Sequence, residues 1–218
     1  MNQRQKEILS ILVDDYVREA RPISSGFLAS RHQLKLKCSP ATVRNELAEL
    51  LSRGYLRKIY FSSGSVPTNK AYRLVVDGVL LDQPNAAATD NAFDSLERAV
   101  SFLSREFGTL TAGVDQERNL FIDGIDELFG QPDFQTKYQY QLLGRLVEWL
   151  QEMQEMIAEP KQAAIFVGRE NPYWDESDDL SWLVGSSPST SISIMAIGPT
   201  RMPYKKNWKT FCEILNNL

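Results

Sequence analysis

Ser39-Pro40-Ala41-Thr42-Val43-Arg44-Asn45-Glu46-Leu47-Ala48-Glu49-Leu50-Leu51 carries the start signal, the inner face and the outer face of one short helix. Ser39 is an N-cap that can accept from the first free backbone N–H groups, and Pro40 suits the first helical position, where no N–H is needed. Val43, Leu47, Leu50 and Leu51 fall at helical spacing on one side and dock on the protein. Thr42, Arg44 and Asn45 point elsewhere, with Thr42 and Asn45 three apart on a shared face. Arg and Asn have two-pronged donors and acceptors that fit guanine and adenine edges, and the free N–H groups of a helix start favour a phosphate. The pattern fits a DNA recognition helix, although for these residues alone an ordinary amphipathic helix with a polar surface is the better reading; its neighbours reverse that preference.

Upstream, Gln3 to about Glu19 is a helix with Ile8, Leu9, Ile11, Leu12 and Tyr16 as its apolar stripe, ended by Ala20-Arg21-Pro22. Ser24 or Ser25 caps a second short helix carrying Phe27, Leu28 and Leu34, and a turn around Leu36-Lys37-Cys38 leads into the Ser39 cap. Two short helices joined by a tight turn, behind a longer support, make a helix-turn-helix. His32 reads as a surface residue at its helix end, since a lone His without neighbouring ligands does not build a metal site.

Downstream, Arg53-Gly54 stops the helix and Tyr55 to Phe61 is rich in strand formers. Ser62-Ser63-Gly64-Ser65 turns, and Val66-Pro67-Thr68 begins a return limb. The hairpin is a wing whose Arg57 and Lys58 lie along a DNA backbone, or else a hairpin that only closes the core. Helix, helix-turn-helix and hairpin in that order favour double-stranded DNA as partner.

The charge agrees once the chain is divided. Residues 1–77 hold 13 Lys+Arg against 7 Asp+Glu, a balance of +6, so the remainder holds 11 against 21, or −10, and the two give the net −4 of the whole. Such asymmetry suits a nucleic-acid-binding module joined to an acidic partner domain. No segment approaches the roughly 20 apolar residues of a membrane span, and the start of the chain lacks the apolar core of a signal peptide, so no membrane partner and a cytoplasmic setting are expected. Cys38 and Cys212 are too few for a disulfide framework or a zinc site.

The run from Ser39 to Leu50, then Gly54-Tyr55-Leu56, Ser62-Ser63-Gly64, Val66-Pro67-Thr68 and Ala71-Tyr72-Arg73, resembles the N-terminal domain of the bacterial heat-inducible transcription repressor HrcA. Later blocks are similar to that family's regulatory domain, in the same order: Asn119 to Gly124, Gln131 to Phe134, Val167 to Asn171 and Ile197 to Tyr204. The resemblance implies a dimeric repressor of chaperone genes that binds an inverted repeat, with activity supported by the chaperonin. With the hairpin reading, it places DNA contacts at Ser39, Ala41, Thr42, Arg44, Asn45, Arg57, Lys58, Ser63, Gly64, Thr68, Tyr72 and Arg73, the last two by packing and backbone contact. The chain departs from the family in four places. Ser65 stands where an Arg is usual at the wing tip, and Tyr60-Phe61 where a His-Thr pair is usual. Only Thr109 to Arg118 fills the space in which family members carry the first half of a GAF-like domain and an inserted dimerisation domain. A Gly-rich approach to the last strand is shortened to Ser186 to Ser191.

The expected class is α+β: a winged helix-turn-helix over 1–77, a linker over 78–89 in which Asp82 to Thr89 has no apolar period, and a reduced GAF-like domain over 90–218. Within the last, Asp90 caps a helix to about Phe107, Leu120 to Ile122 is a strand and Tyr138 to Ile157 a long helix. Ala163 to Val167, Leu180 to Gly185 and Ile192 to Ile197 are strands, and Tyr204 to Leu218 is a closing helix in a mostly antiparallel sheet. With the dimerisation insert missing, the apolar surfaces around Phe93, Leu96, Val100 and Leu103 and of the helix bearing Trp149 are candidates for a homodimer face, or for core packing within one chain. The strongest catalytic candidate, Asp175-Glu176-Ser177-Asp178-Asp179 beside Gly168-Arg169-Glu170-Asn171, reads as a solvated loop, and the chain has neither a phosphate-binding Gly-rich loop nor a nucleophile beside a base. No enzyme and no cofactor are expected. Two other functions fit the same pattern: a winged-helix regulator of other genes that senses a small ligand, and a protein-interaction module.

Overall fold

A computed structural model describes residues 1–218 except 61–62, 83–92, 160, 175 and 177. The chain divides into two compact units, Met1–Gly78 and Val79–Leu218.

In the first unit, α1 (Gln3–Glu19) starts at a capping box in which Asn2 accepts from the Gln5 N–H and the Gln5 side chain accepts from the Asn2 N–H. It buries Ile8, Leu9, Ile11, Leu12 and Val13. Ser24 caps α2 (Ser25–Arg31), and the chain breaks at His32 before a single turn, α3 (Gln33–Leu36), that ends on a left-handed Lys37. Leu34, expected inside, is 91% exposed, because that break rotates it out and leaves Leu36 as the buried residue. Next come α4 (Pro40–Ser52) and the hairpin β1 (Leu56–Lys58) and β2 (Ser65–Pro67), paired antiparallel with Leu56 opposite Pro67 and Lys58 opposite Ser65. The strands are shorter than the run Tyr55 to Phe61 suggested. An unexpected helix, α5 (Asn69–Leu81), follows; its Ala71, Tyr72 and Val76 are buried. Gly78 to Leu81, assigned to the linker from sequence, are therefore helical, and the rest of that linker apart from Asp82 lies outside the described residues.

The second unit is built on a five-stranded sheet of order β4-β3-β7-β6-β5, with every neighbour antiparallel. Its strands are β3 (Leu110–Val114), β4 (Leu120–Asp123), β5 (Ala164–Val167), β6 (Leu180–Ser186) and β7 (Ser193–Pro199). Helix α6 (Leu96–Phe107) is capped by Ser95 and ended by a left-handed Gly108. Asp90, the expected cap, lies outside the described residues. Helices α7 (Ile125–Phe129), α8 (Lys137–Glu152) and α9 (Gln154–Ala158) cover the other sheet face, and α10 (Tyr204–Asn217) closes the chain. The long helix expected from Tyr138 to Ile157 is broken at Met153.

Alternation along β3 sorts the layers. Leu110, Ala112 and Val114 join Leu142, Leu143, Leu146 and Leu150 of α8 and Trp182 of β6 in one core. On the opposite face a Cβ on Gly113 would stand 2.8 Å from Val100 and 2.9 Å from Leu96, so only glycine lets α6 lie this close. Strand β3 escaped sequence reading because all five of its residues are buried and no alternation shows. The ten residues from Thr109 to Arg118 thus supply an interior strand of the sheet, between β4 and β7.

This packing overturns the first dimer face. Leu96, Val100 and Leu103 are buried against the chain's own sheet, Val100 to 1% exposure. Phe93 lies against Phe102, ring centres 5.2 Å apart, and Trp149 meets Trp182 edge-on at 5.7 Å.

The recurring blocks of this unit are joints. Asp123 accepts from the Ser101 hydroxyl (2.6 Å) and the Gly124 N–H (2.8 Å), and Gly124 is left-handed with Thr109 O where a side chain would begin. Arg201 grips Asp133 through Nε and Nη2, the shortest contact 2.6 Å, while Gln131 donates to Gly108 O (3.0 Å). The buried Asn171 accepts from the Tyr173 N–H (2.9 Å).

Two predictions follow from this packing. Val100→Asp places a carboxylate in a closed apolar layer and should cost about 4 kcal/mol or more, unfolding the second unit and not releasing a folded monomer. Urea denaturation with sedimentation on the same variant checks this. The Ser101 hydroxyl, and then the Gly124 N–H, hold the Asp123 carboxyl below the usual carboxylate range. Its contribution is present above the ordinary carboxylate pKa and lost as pH falls through the lowered one, so Ser101→Ala should raise the pH at which acid unfolding begins. Circular dichroism against pH reads the shift.

Candidate nucleic-acid interface

The interface is assembled on α4. The Ser39 hydroxyl accepts from the Thr42 N–H (3.1 Å) and lies 3.0 Å from the Thr42 hydroxyl, so both serve the helix start. Val43, Leu47 and Leu50 are buried, and Leu51 is half-buried. Glu46 is drawn toward α1, accepting from Gln5 Nε2 (3.0 Å), and Glu49 is held by Arg53 (2.8 Å). With its acidic groups engaged there, α4 presents Ala41, Arg44 and Asn45 as exposed residues.

Beneath it, α1 and α2 are joined by charge. Asp15 is fully buried, accepts from Arg18 Nη2 (2.6 Å) and lies 2.7 Å from His32 Nε2, while Arg31 donates to Glu19 (2.7 Å). The Arg31 hydrogen bond, with help from Arg21, holds the Glu19 carboxyl below its usual range. His32 is therefore no plain surface residue. It ties the helix-turn-helix turn to α1, which its sequence neighbours did not reveal because Asp15 is 17 positions away.

The hairpin is positioned by a single β-bridge to the loop before α2. Ile23 and Ser65 exchange both backbone bonds, Ile23 N–H to Ser65 O at 2.9 Å and Ser65 N–H to Ile23 O at 2.8 Å. A Cβ on Gly64 would stand 2.6 Å from Ile23 C and 2.7 Å from Pro22 C, so the two backbones meet only because this residue is glycine. Ser63 closes the tip, its hydroxyl donating to Tyr60 O (2.7 Å) and accepting from Tyr60 N–H (3.0 Å). A cavity of about 290 Å³ opens between helix and hairpin, lined by Ser24, Ser25, Arg44, Lys58, Ser63 and Gly64 above Ile23, Leu47 and Leu51. Arg57 and Lys58 are exposed on β1.

The structure thus brings Arg44, Lys58, Ser63 and Gly64 to one groove, with Ala41, Thr42 and Asn45 on the adjoining helix. It separates three others from that groove. Tyr72 is 2% exposed and is a core residue, so it offers no surface to a nucleic acid. Thr68 donates inward to Gly54 O (2.8 Å) and holds the base of the hairpin, while Arg73 pairs with Asp77 (2.9 Å) along α5. Ser24 and Ser25 were read only as caps; their place in the groove depends on the Ile23–Ser65 bridge, for which no local signal exists.

In the competing acidic stretch the described acids are paired on the surface. Glu176 pairs with Arg145 (2.9 Å) and Asp178 with Arg169 (3.4 Å), all four well exposed. Asp175 and Ser177 lie outside the described residues. No group of His, Cys, Asp and Glu among the described residues is arranged to hold a metal, and no described helix is long and apolar enough to cross a membrane.

A capped helix with a buried inner face and an Arg/Asn outer face, beside a cationic hairpin, defines a winged helix-turn-helix. The model of the HrcA protein C-terminal domain matches residues 76–207, and the chain belongs to the HrcA family. It is 40% identical over 104 residues to the heat-inducible transcription repressor HrcA of Anaeromyxobacter sp. (strain K), covering 48% of this chain and 29% of that protein. It is 48% identical over 80 residues to the HrcA of Geobacter sulfurreducens, covering 37% and 23%. The matched part is thus less than a third of either relative's length. A solved structure described as a hypothetical protein shares the fold, with a TM-score of 0.77 at 16% identity over 100% of this chain and 96% of that one.

Gly64→Ala should force the hairpin away from Pro22-Ile23 and cost about 2 kcal/mol, the scale of overpacking at a site that cannot give. Faster amide exchange at Ile23 and Ser65, with unchanged exchange in β3 to β7, is the expected signature.

Proposed function

We propose that this chain is a cytoplasmic, non-enzymatic transcriptional repressor of heat-shock genes that binds an inverted-repeat operator in double-stranded DNA. The observation that carries this reading is the exposed Arg44-Asn45 pair on a helix whose opposite face is buried, one groove away from Lys58, in a chain of the HrcA family. Arg44 and Asn45 read base edges in the major groove, while Arg57 and Lys58 hold backbone phosphates. One such unit covers a half-site, so two copies related by a two-fold axis read the repeat. Dependence of repression on the chaperonin belongs to the same proposal.

The test is selection of duplexes from a random pool by the full chain, followed by binding of the enriched site. Arg44→Ala should cost about 1–3 kcal/mol and relax preference at one base position. Neutralising Arg57 and Lys58 together should weaken all duplexes alike and reduce the salt slope by roughly 2. A pool that never enriches, or an Arg44→Ala protein with unchanged preference, overturns the assignment.

A further inference from the structure

Helix α8 has two faces, and only one of them is used within the chain. Leu142, Leu143, Leu146 and Leu150 are buried in the core, and Trp149 meets Trp182. At helical spacing on the opposite face lie Lys137, Tyr140, Gln141, Gly144, Glu148 and Gln151, all exposed, over about 21 Å of helix. Gly144 stands at the middle of that stripe. A glycine there weakens the helix relative to alanine, and the chain itself does not call for it, because a Cβ would meet no atom within 4 Å. Gly113 is the contrast, since there α6 fills the space. A helix without a side chain at its exposed midpoint leaves room for another helix to come close, because the side chains at a contact set the distance between axes.

The two edges of the stripe differ. On one edge Tyr140, 45% exposed, stacks on Phe129 with ring centres 5.4 Å apart. Ile125, 42% exposed, lies one turn before Phe129 on α7, and half-buried Val147 lies two turns past Tyr140. On the other edge are Lys137, Gln141, Glu148 and Glu152. None of these three charged groups has an ion-pair partner among the described residues, whereas Arg145 beside them is taken by Glu176 at 2.9 Å.

These charges select the occupant. With a cation at the start of the stripe and carboxylates toward its end, the face complements a reversed copy of itself. A two-fold axis passing beside Gly144 lays Tyr140 on the second copy's Val147 and Lys137 between the second copy's Glu148 and Glu152, with every contact made twice. A parallel copy would instead set Lys137 on Lys137 and Glu148 on Glu148, like charge on like. We propose that α8 is the contact between two copies of this chain, packed antiparallel across Gly144. The proposal deepens the two-copy operator reading above and rests on it.

The experiment is sedimentation equilibrium of the full chain, free and on the enriched duplex. It compares wild type, Gly144→Leu, Lys137→Glu, the double variant Glu148→Lys with Glu152→Lys, and an equimolar mixture of the last two proteins. Gly144→Leu should raise the dimer dissociation constant roughly tenfold or more, the scale of overpacking at a close contact. Its urea midpoint, measured where both proteins are monomeric, should not fall below that of wild type, because leucine is the better helix former; this separates loss of contact from loss of fold. Each charge variant should associate more weakly than wild type, since like charges then face each other, and mixing the two should recover a dimer containing one copy of each. A role for these side chains within a single copy would give no recovery on mixing. A dimeric wild type whose Gly144→Leu form associates as tightly, or charge variants that do not recover on mixing, overturns the α8 contact and leaves the two-copy reading standing. A wild type that is monomeric both free and on the duplex removes the two-copy arrangement and this contact together.

Discussion

The first unit turns on one close approach of two backbones. The loop Pro22-Ile23 and the limb Gly64-Ser65 come near enough to exchange two hydrogen bonds, and the space between them does not admit a methyl group. Without that contact the hairpin is a two-stranded ribbon of three residues a side, which in water is marginal at best. With it, the hairpin becomes an extension of the helix-turn-helix, because Ile23 immediately precedes the Ser24 cap of α2. The groove between Arg44 and Lys58 is a consequence: its floor is Ile23, Leu47 and Leu51, and its rim belongs to both partners in the approach.

What was legible in the sequence was what short-range physics writes there. The Ser39 cap with Pro40 after it, the start of α1 at Gln3, and the stripes of α1 and α4 all appear where the spacing puts them. What was not legible depended on distant residues. Leu34 has the spacing of an inward residue, but the break at His32 turns it out, and that break is held by a carboxylate 17 positions earlier. Tyr72 was placed among the DNA contacts by packing and backbone contact, and only the packing part agrees with α5, an unread helix that buries it. Strand β3 has no alternation because both its faces are covered, and the apolar arc of α6, which read equally as an interface or as core, faces its own sheet.

The blocks that most strongly suggest family membership in the second unit are not arranged as a site among the described residues. Asp123-Gly124 closes the turn after β4, Arg201 ties the segment after β7 to Asp133, and Gln131 caps the end of α6 through Gly108 O. Each is a place where side chain and backbone leave one workable geometry: a left-handed glycine against a carbonyl, or an arginine fork on a carboxylate that is itself largely covered. Such joints specify a fold and carry no information about a ligand.

The division of charge bears on how a DNA contact would be confined. With +6 over residues 1–77 and −10 over the remainder, the phosphate backbone attracts one part of the chain and repels the other. Beyond about 8 Å in physiological salt these fields are screened, so the repulsion acts mainly when acidic surface approaches the duplex closely. Under the proposed reading, nonspecific affinity would come from the cations of the first unit and would fall with salt. A reader with modest nonspecific affinity needs its discrimination from contacts that do not scale with charge. Under the proposed reading, the exposed polar groups of Arg44 and Asn45 on α4 are the feature of this unit suited to provide them.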